Sequence, residues 1–179
     1  MSSTTIVVRA VQLEDYSGVR RVDELTQRQY RGAAWDQLSE EAKEPYLVSR
    51  PSEFAINVET GYGFVALRED EVVGFVFAHE TLPFPGDLSI RSVGVDPAYQ
   101  GTGIGLLLYA QLIEHAKQQA IKSITALINL DNPPSMKLHQ KAGFWLRDRK
   151  EAVLNLFEGK LDAPQSDQPG AANKTSQDS

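Results

Sequence analysis

Residues 88–111 read LSIRSVGVDPAYQGTGIGLLLYAQ, and this stretch decides the fold. Leu88 to Val95 has the character of a strand, and Asp96-Pro97 ends it because proline cannot donate to a ladder. Three glycines follow at spacings of two: Gly101, Gly103 and Gly105, with Thr102 between the first pair. Apolar residues then recur at Ile104, Leu108, Leu112 and Ala116, widened by Tyr109 and Ile113, which is the period of an amphipathic helix. A strand, a glycine turn and a helix start together form an anion site. Unpaired N–H groups at the helix tip point outward, and glycines let an anion come close to the backbone.

Two common phosphate-binding patterns do not fit. A nucleotide P-loop needs Lys and then Ser or Thr after its last glycine, whereas Gly105 is followed by Leu106 and Leu107. The dinucleotide fingerprint needs glycines spaced one and then two residues apart, with an acid about 20 residues on. Gly101 and Gly103 have the first spacing, but no glycine stands three positions beyond Gly103, and Ile121 to Ile124 holds no acid.

Gln100-Gly101-Thr102-Gly103-Ile104-Gly105 instead resembles the Gln/Arg-x-x-Gly-x-Gly/Ala signature of the GNAT superfamily of N-acetyltransferases. Its lead-in, Val93 to Tyr99, resembles that family's fourth strand and exit. A second stretch, Asn132 to Phe144, resembles the family's later helix, in which an Asn precedes Leu-(Tyr or His)-x-Lys-x-Gly-Phe. Ser135 and Leu138-His139 are similar to the phosphinothricin-acetyltransferase-like branch. The likeness runs from Ile6 to about Phe157.

The strand pattern alone predicts an α/β fold with a mixed sheet. The resemblance implies six or seven mostly antiparallel strands flanked by helices, splayed at the fourth strand, with acetyl-CoA in the gap as co-substrate. It also implies roles. Backbone N–H groups from Gly101 to Leu106 would cradle the pyrophosphate, with Gln100 and Thr102 adding side-chain bonds. Main-chain groups of Val93 and Val95 would pair with the pantetheine arm, and the Val95 N–H would polarise the thioester carbonyl. Asn132, Ser135 or Met136, and His139 would lie along one side of a helix beside the cofactor. His139 is a candidate proton donor to the departing thiolate or a cofactor contact; packing as a half-buried helix histidine is its plainer role.

The general base is harder to place. Many relatives carry a glutamate on the fourth strand, but this chain has Ser89, Ile90, Arg91 and Ser92 there. Glu80 and Asp87 are the nearest carboxylates in sequence, and Glu80 acting through water is the candidate, against a solvated strand-end charge. His79 alternates with Glu80, so only one of the two can face the cleft. His115, among Glu114, Lys117 and Gln118, reads as solvated.

Along the rest of the chain, Ile6 to Ala10 reads as a strand. Glu14 to Tyr30 reads as a helix with Val19, Val22, Leu25 and Tyr30 inward. Ser39 caps another helix restarted at Pro45, and Pro51 to Thr60 forms a shorter one stopped by Gly61. Phe64–Arg68 and Val72–Glu80 make a hairpin, Lys122–Leu130 a further strand, and Phe144–Asp148 with Ala152–Phe157 a closing pair. The expected domain covers 6–158. Residues 1–5 are expected to be flexible and 159–179, poor in large apolar residues, disordered.

Composition narrows the function. With 179 residues, 41% hydrophobic and 23% charged, the chain suits one globular domain. A net charge of −6 argues against nucleic acid or an anionic membrane as partner. The absence of cysteine excludes a disulfide, a thiolate metal site and a cysteine nucleophile, and the three histidines show no metal-ligand spacing. Met1 to Thr5 lacks secretory character, so a soluble cytoplasmic protein is expected. No Gly-x-Ser-x-Gly elbow is present, which favours direct transfer from acetyl-CoA to a primary amine over an acyl-enzyme. Acceptor recognition is expected from Gln27–Gly63 and Thr81–Asp87, with Arg31, Arg50 and Arg91 available for an acceptor carboxylate. Relatives often form homodimers. A non-catalytic acyl-CoA-binding module and a nucleotide enzyme are the rival readings.

Overall fold

The structure is a computed structural model that describes residues 5–47, 50–83 and 85–149. Eleven helices and strands follow in chain order: β1 Ile6–Ala10, α1 Tyr16–Arg31, α2 Ala33–Asp36, α3 Glu40–Lys43, α4 Pro51–Glu59, β2 Gly63–Arg68, β3 Glu71–Glu80, β4 Asp87–Val95, α5 Ile104–Gln118, β5 Ser123–Ala126 and α6 Pro133–Lys141. They belong to a unit ending at Leu146. Of the second unit, Arg147–Ser179, only residues 147–149 are described, in neither helix nor strand.

The strands form one sheet in the order β1–β2–β3–β4–β5, antiparallel except for β4–β5. Sequence explains each junction. Glu69 and Asp70 take φ of 49° and 68°, as a two-residue hairpin with the strands' own twist demands. Ser39 caps α3 by accepting from the Ala42 N–H at 3.2 Å. Pro51 opens α4, and Gly61 follows it at φ 75°.

Alternation along the strands separates two cores. Val73, Val76 and Ala78 of β3 join Leu88 and Ile90 of β4 beneath Ile104, Leu108, Leu112 and Ala116 of α5. Phe75 and Phe77 face the other way, against Val19 and Val22 of α1 and Phe54 of α4. The predicted inward face of α1 holds for the two valines. Leu25 is half-buried, and Tyr30 is 45% exposed.

The sheet opens at β4. Phe77 pairs with Ser92 and Ala78 with Ile90, leaving Arg91 as an extra, bulged residue. β5 follows β4 only as far as the Ile90–Ala126 pair. Among the described residues, Ser92 to Val95 therefore has β3 on one side and no strand on the other, which is the expected splay.

Five strands are present among the described residues, fewer than the six or seven expected. Phe144–Asp148 is not a strand; the Phe144 ring packs on Tyr109 and His139 at 5.7 and 5.2 Å. Ala152–Phe157 lies outside the described residues. The strand expected over Lys122–Leu130 shortens to Ser123–Ala126, since β4 turns away and leaves Leu127 and Leu130 exposed. His115 is not solvated: it is half-buried, edge-on to Tyr62 and Phe64 at 5.6 and 5.5 Å.

Candidate active site

The gap beside β4 is lined by main chain. The Asp96 N–H donates to Val73 O of β3 at 2.9 Å. Peptide groups alternate along a strand, so those of Val95 and Val93 face the gap. Their side chains pack into the α5 core, as sheet residues do. Asp96 is buried; its carboxylate accepts from the Ala98 N–H at 2.9 Å and from Arg21 of α1 at 2.7 Å. Arg21 also donates to Val72 O at 2.7 Å, which ties α1, β3 and the exit of β4 together.

The glycine turn then swings into α5. Gly101 and Gly103 take φ of 80° and 94°, values that side chains with a Cβ rarely adopt, and Gly103 is the N-cap of α5. Leu106 and Leu107 donate to Gly103 O at 3.0 and 3.1 Å. The first-turn N–H groups of Ile104 and Gly105 have no intrahelical acceptor, so an anion at the tip meets bare amides and the positive end of the helix.

The two side chains expected to add bonds to that anion are otherwise engaged. Gln100 Nε2 donates to Val95 O at 3.0 Å and to Gln29 Oε1 at 2.8 Å, while Gln29 Nε2 donates back to Gln100 Oε1 at 3.1 Å. The Thr102 hydroxyl donates to Tyr99 O at 2.6 Å. Both shape the turn from within.

Asn132, Ser135 and His139 come together on α6. Asn132 Oδ1 caps the helix by accepting from the Ser135 N–H at 3.2 Å. His139 is buried, 3% exposed. Its Nδ1–H donates to Ser135 O at 2.8 Å, because a carbonyl can only accept, so Nε2 accepts from the Tyr109 hydroxyl at 2.8 Å. Neither ring nitrogen retains a free hydrogen for a leaving thiolate.

Burial holds the His139 imidazole below its ordinary pKa, partly offset by the bond to Ser135 O, and raises that of the Tyr109 phenol. Both effects favour the neutral pair. The unfolded histidine, near 6.5, therefore binds protons more readily than the folded one. Stability is full above that value and falls as pH drops below it toward the folded pKa. The urea midpoint is expected to decline between pH 7 and 5, and less steeply in a His139→Gln variant; equal slopes would remove the histidine from the cause.

Glu80 does not join the site. It pairs with Leu88, at the far end of β4 from Val95, roughly 23 Å away at ~3.3 Å per residue. It accepts a hydrogen bond from Tyr62 at 3.0 Å.

Two contacts were invisible in sequence because their partners are distant along the chain. At the end of α1, the Tyr30 hydroxyl donates to the Asp131 carboxylate at 2.9 Å and accepts from Asn129 Nδ2 at 3.2 Å, tying α1 to the β5–α6 connection. On the opposite end of the same sheet face, His79 Nε2 lies 2.6 Å from Asn57 Oδ1. Of the arginines, Arg31 stacks on Tyr46 at 3.8 Å and Arg50 pairs with Glu53. Arg91 is exposed on the bulge and makes no ion pair among the described residues.

The chain is similar to known proteins. A mycothiol acetyltransferase of Brachybacterium faecium is 30% identical over 87 residues, 48% of this chain and 26% of the relative, so the chain spans about a quarter of that relative's length. A phosphinothricin N-acetyltransferase of Streptomyces viridochromogenes is 38% identical over 68 residues, 37% of each chain. The crystal structure of PaiA N-acetyltransferase from Thermoplasma acidophilum, in complex with coenzyme A, superposes with a TM-score of 0.70 at 17% identity, over 82% of this chain and 93% of that one. Residues 20–144 match the acetyltransferase (GNAT) family, a span that holds the glycine turn, the gap and the α6 motif. The chain belongs to that family.

Proposed function

We propose that this protein is an acetyl-CoA-dependent N-acetyltransferase that moves an acetyl group directly onto a primary amine. One observation carries the reading. Main-chain groups of Val93 and Val95 face a gap that β5 vacates, and that gap runs to a helix tip with bare amides. A thioester carrier has a diphosphate for the tip and amides for the strand edge. In this reading the N–H groups between Gly101 and Leu106 hold the diphosphate, and Val93 and Val95 pair with the arm. The Val95 N–H polarises the carbonyl, where one such donor is worth about 10²–10³ in rate. Asn132, Ser135 and His139 form the wall beside the arm, with His139 packing it.

The acceptor meets the face of β4 that carries Ser89, Arg91 and Ser92. The Arg91 guanidinium, exposed and in no ion pair among the described residues, suits an amine that also bears an acidic group. Among the described residues no helix is long and apolar enough to cross a membrane. We place the protein in the cytoplasm, with neither membrane nor nucleic acid as partner; light scattering would report a homodimer.

Incubating the protein with acetyl-CoA and a panel of amines, including amino acids, is expected to release free thiol in step with acceptor. A second reading, a non-catalytic acyl-CoA-binding module, draws on the lack of any carboxylate among Ser89–Ser92 and the remoteness of Glu80. Calorimetric binding of acetyl-CoA without thiol release for any amine would favour it.

A further inference from the structure

The gap beside β4 has two banks. Val95 at the end of β4 stands on one, and the connection from β5 into α6, residues 127–132, forms the other. One helix end is bonded to both. On the β4 bank, Gln29 and Gln100 pair their amides at 2.8 and 3.1 Å, and Gln100 Nε2 also donates to Val95 O at 3.0 Å. On the far bank, the Tyr30 hydroxyl donates to the Asp131 carboxylate at 2.9 Å and accepts from Asn129 Nδ2 at 3.2 Å. We infer that Gln29 and Tyr30 are positioning residues that fix the width of the gap for the coenzyme arm, an inference that rests on the acetyltransferase reading above.

Helix geometry suits α1 to this task. Successive helical residues point about 100° apart, so Gln29 and Tyr30 reach to different sides from a single turn. Earlier in α1, Arg21 donates to Val72 O and to the Asp96 carboxylate, both at 2.7 Å. Val19 and Val22, each 0% exposed, seat the same part of the helix on the sheet. A stiff rod is thus founded on β3 and the exit of β4, and it ends roughly 13 Å beyond Arg21 at ~1.5 Å per residue.

The far bank has need of such a strut. α6 is held on α5 toward its C-terminal end, where the Tyr109 hydroxyl donates to His139 at 2.8 Å and Leu138 lies against Gly105. Its N-terminal end begins at the N-cap Asn132, next to Asp131 and its bond from Tyr30. Leu127 and Leu130, 82% and 78% exposed, contribute little burial to hold that connection. Gln29 therefore acts through Gln100 on the Val95 carbonyl, and Tyr30 acts through Asp131 and Asn129 on the entry to α6. A wall already in place spares the arm the cost of ordering it on binding.

The test is the calorimetric Kd for acetyl-CoA in the full chain, with the urea midpoint measured alongside. Tyr30→Phe keeps the ring and removes both bonds to the phenol oxygen. Its Kd is expected to rise about 5-fold, the worth of an ordinary hydrogen bond. Tyr30 is 45% exposed, so the urea midpoint is expected to stay where it is. Asp131→Asn and Asp131→Ala both remove the charge, so its effect on an anionic coenzyme cancels between them. Asparagine still accepts from the phenol, and its Kd is expected to lie about 5-fold below that of alanine. In a Tyr30→Phe background that difference is expected to vanish. Gln29→Ala is expected to weaken binding too, and by less once Tyr30 is Phe, because a gap released on one bank has less left to lose.

Wild-type Kd in Tyr30→Phe or in Gln29→Ala would overturn the inference, as would a lowered urea midpoint with unchanged Kd, which marks a merely structural contact. A difference between the two Asp131 variants that persists without the phenol would overturn it as well. Each of these outcomes leaves the acetyltransferase reading intact. Wild-type protein that binds no acetyl-CoA would overturn both.

Discussion

Phe75→Ala is expected to lower the free energy of unfolding by about 3–5 kcal/mol, the loss typical of truncating a buried aromatic. Phe75 is 0% exposed, its ring centroid is 5.0 Å from that of Phe77, and it lies in the core between the sheet and α1. It also fills the space under β4: a Cβ on Gly94 would come within 2.6 Å of its ring. The void left by alanine therefore opens beneath the strand segment that faces the gap. Urea unfolding measures the loss. Gly94→Ala is the converse and is expected to cost about 1–3 kcal/mol by overpacking. Because the two side chains would occupy one space, Phe75→Leu with Gly94→Ala should cost less than the sum of the single changes. Strict additivity would show that the ring does not support Gly94.

Gly103→Val is expected to weaken acetyl-CoA binding by at least ~10-fold, which corresponds to about 1.4 kcal/mol. Nothing lies within 4 Å of a Cβ built at this position, so steric crowding inside the protein is not the cause. The cause is backbone: φ is 94°, and a β-branched residue held there costs about 1–3 kcal/mol. Relief of that strain rotates the peptides that aim the α5 amides, and the added methyls stand where the diphosphate would approach. Gly61, at φ 75° and equally open, lies in the α4–β2 turn and serves as the control. Gly61→Val should cost similar stability and leave calorimetric affinity alone. Equal affinities for the two variants would show that the turn is not the cofactor's seat.

The glycine turn was legible because its chemistry is local. Three glycines, a strand before them and an apolar helix period after them sit within 24 consecutive residues. The helix face Ile104, Leu108, Leu112 and Ala116 is buried as its spacing requires. The splay was legible only through family likeness. Its structural cause, the Arg91 bulge and the end of β5 pairing at Ile90, depends on register between paired strands, which for β4 and β5 lie 36 residues apart in the chain.

The side-chain roles were not legible in the same way. Gln100 and Thr102 look like phosphate contacts in a motif, yet each has a nearer partner: Gln29, 71 residues away, and Tyr99 O. His139 resembles a proton donor until Tyr109 and Ser135 O are seen to occupy both nitrogens. Glu80 was chosen for nearness in sequence, but a strand carries such a residue away at ~3.3 Å per step.

Periodicity, turn residues and capping act over a few neighbouring positions, so the order of elements and the helix tip follow from the chain read in line. Which lone pair is free is a different kind of property. It depends on which groups folding brings within 3 Å, and His139 has both nitrogens taken, one by Tyr109, 30 residues earlier on another element, and one by Ser135 O. Hydrogen bonds are satisfied in space, without regard to sequence distance, and only the packed molecule shows which polar atoms remain available for chemistry.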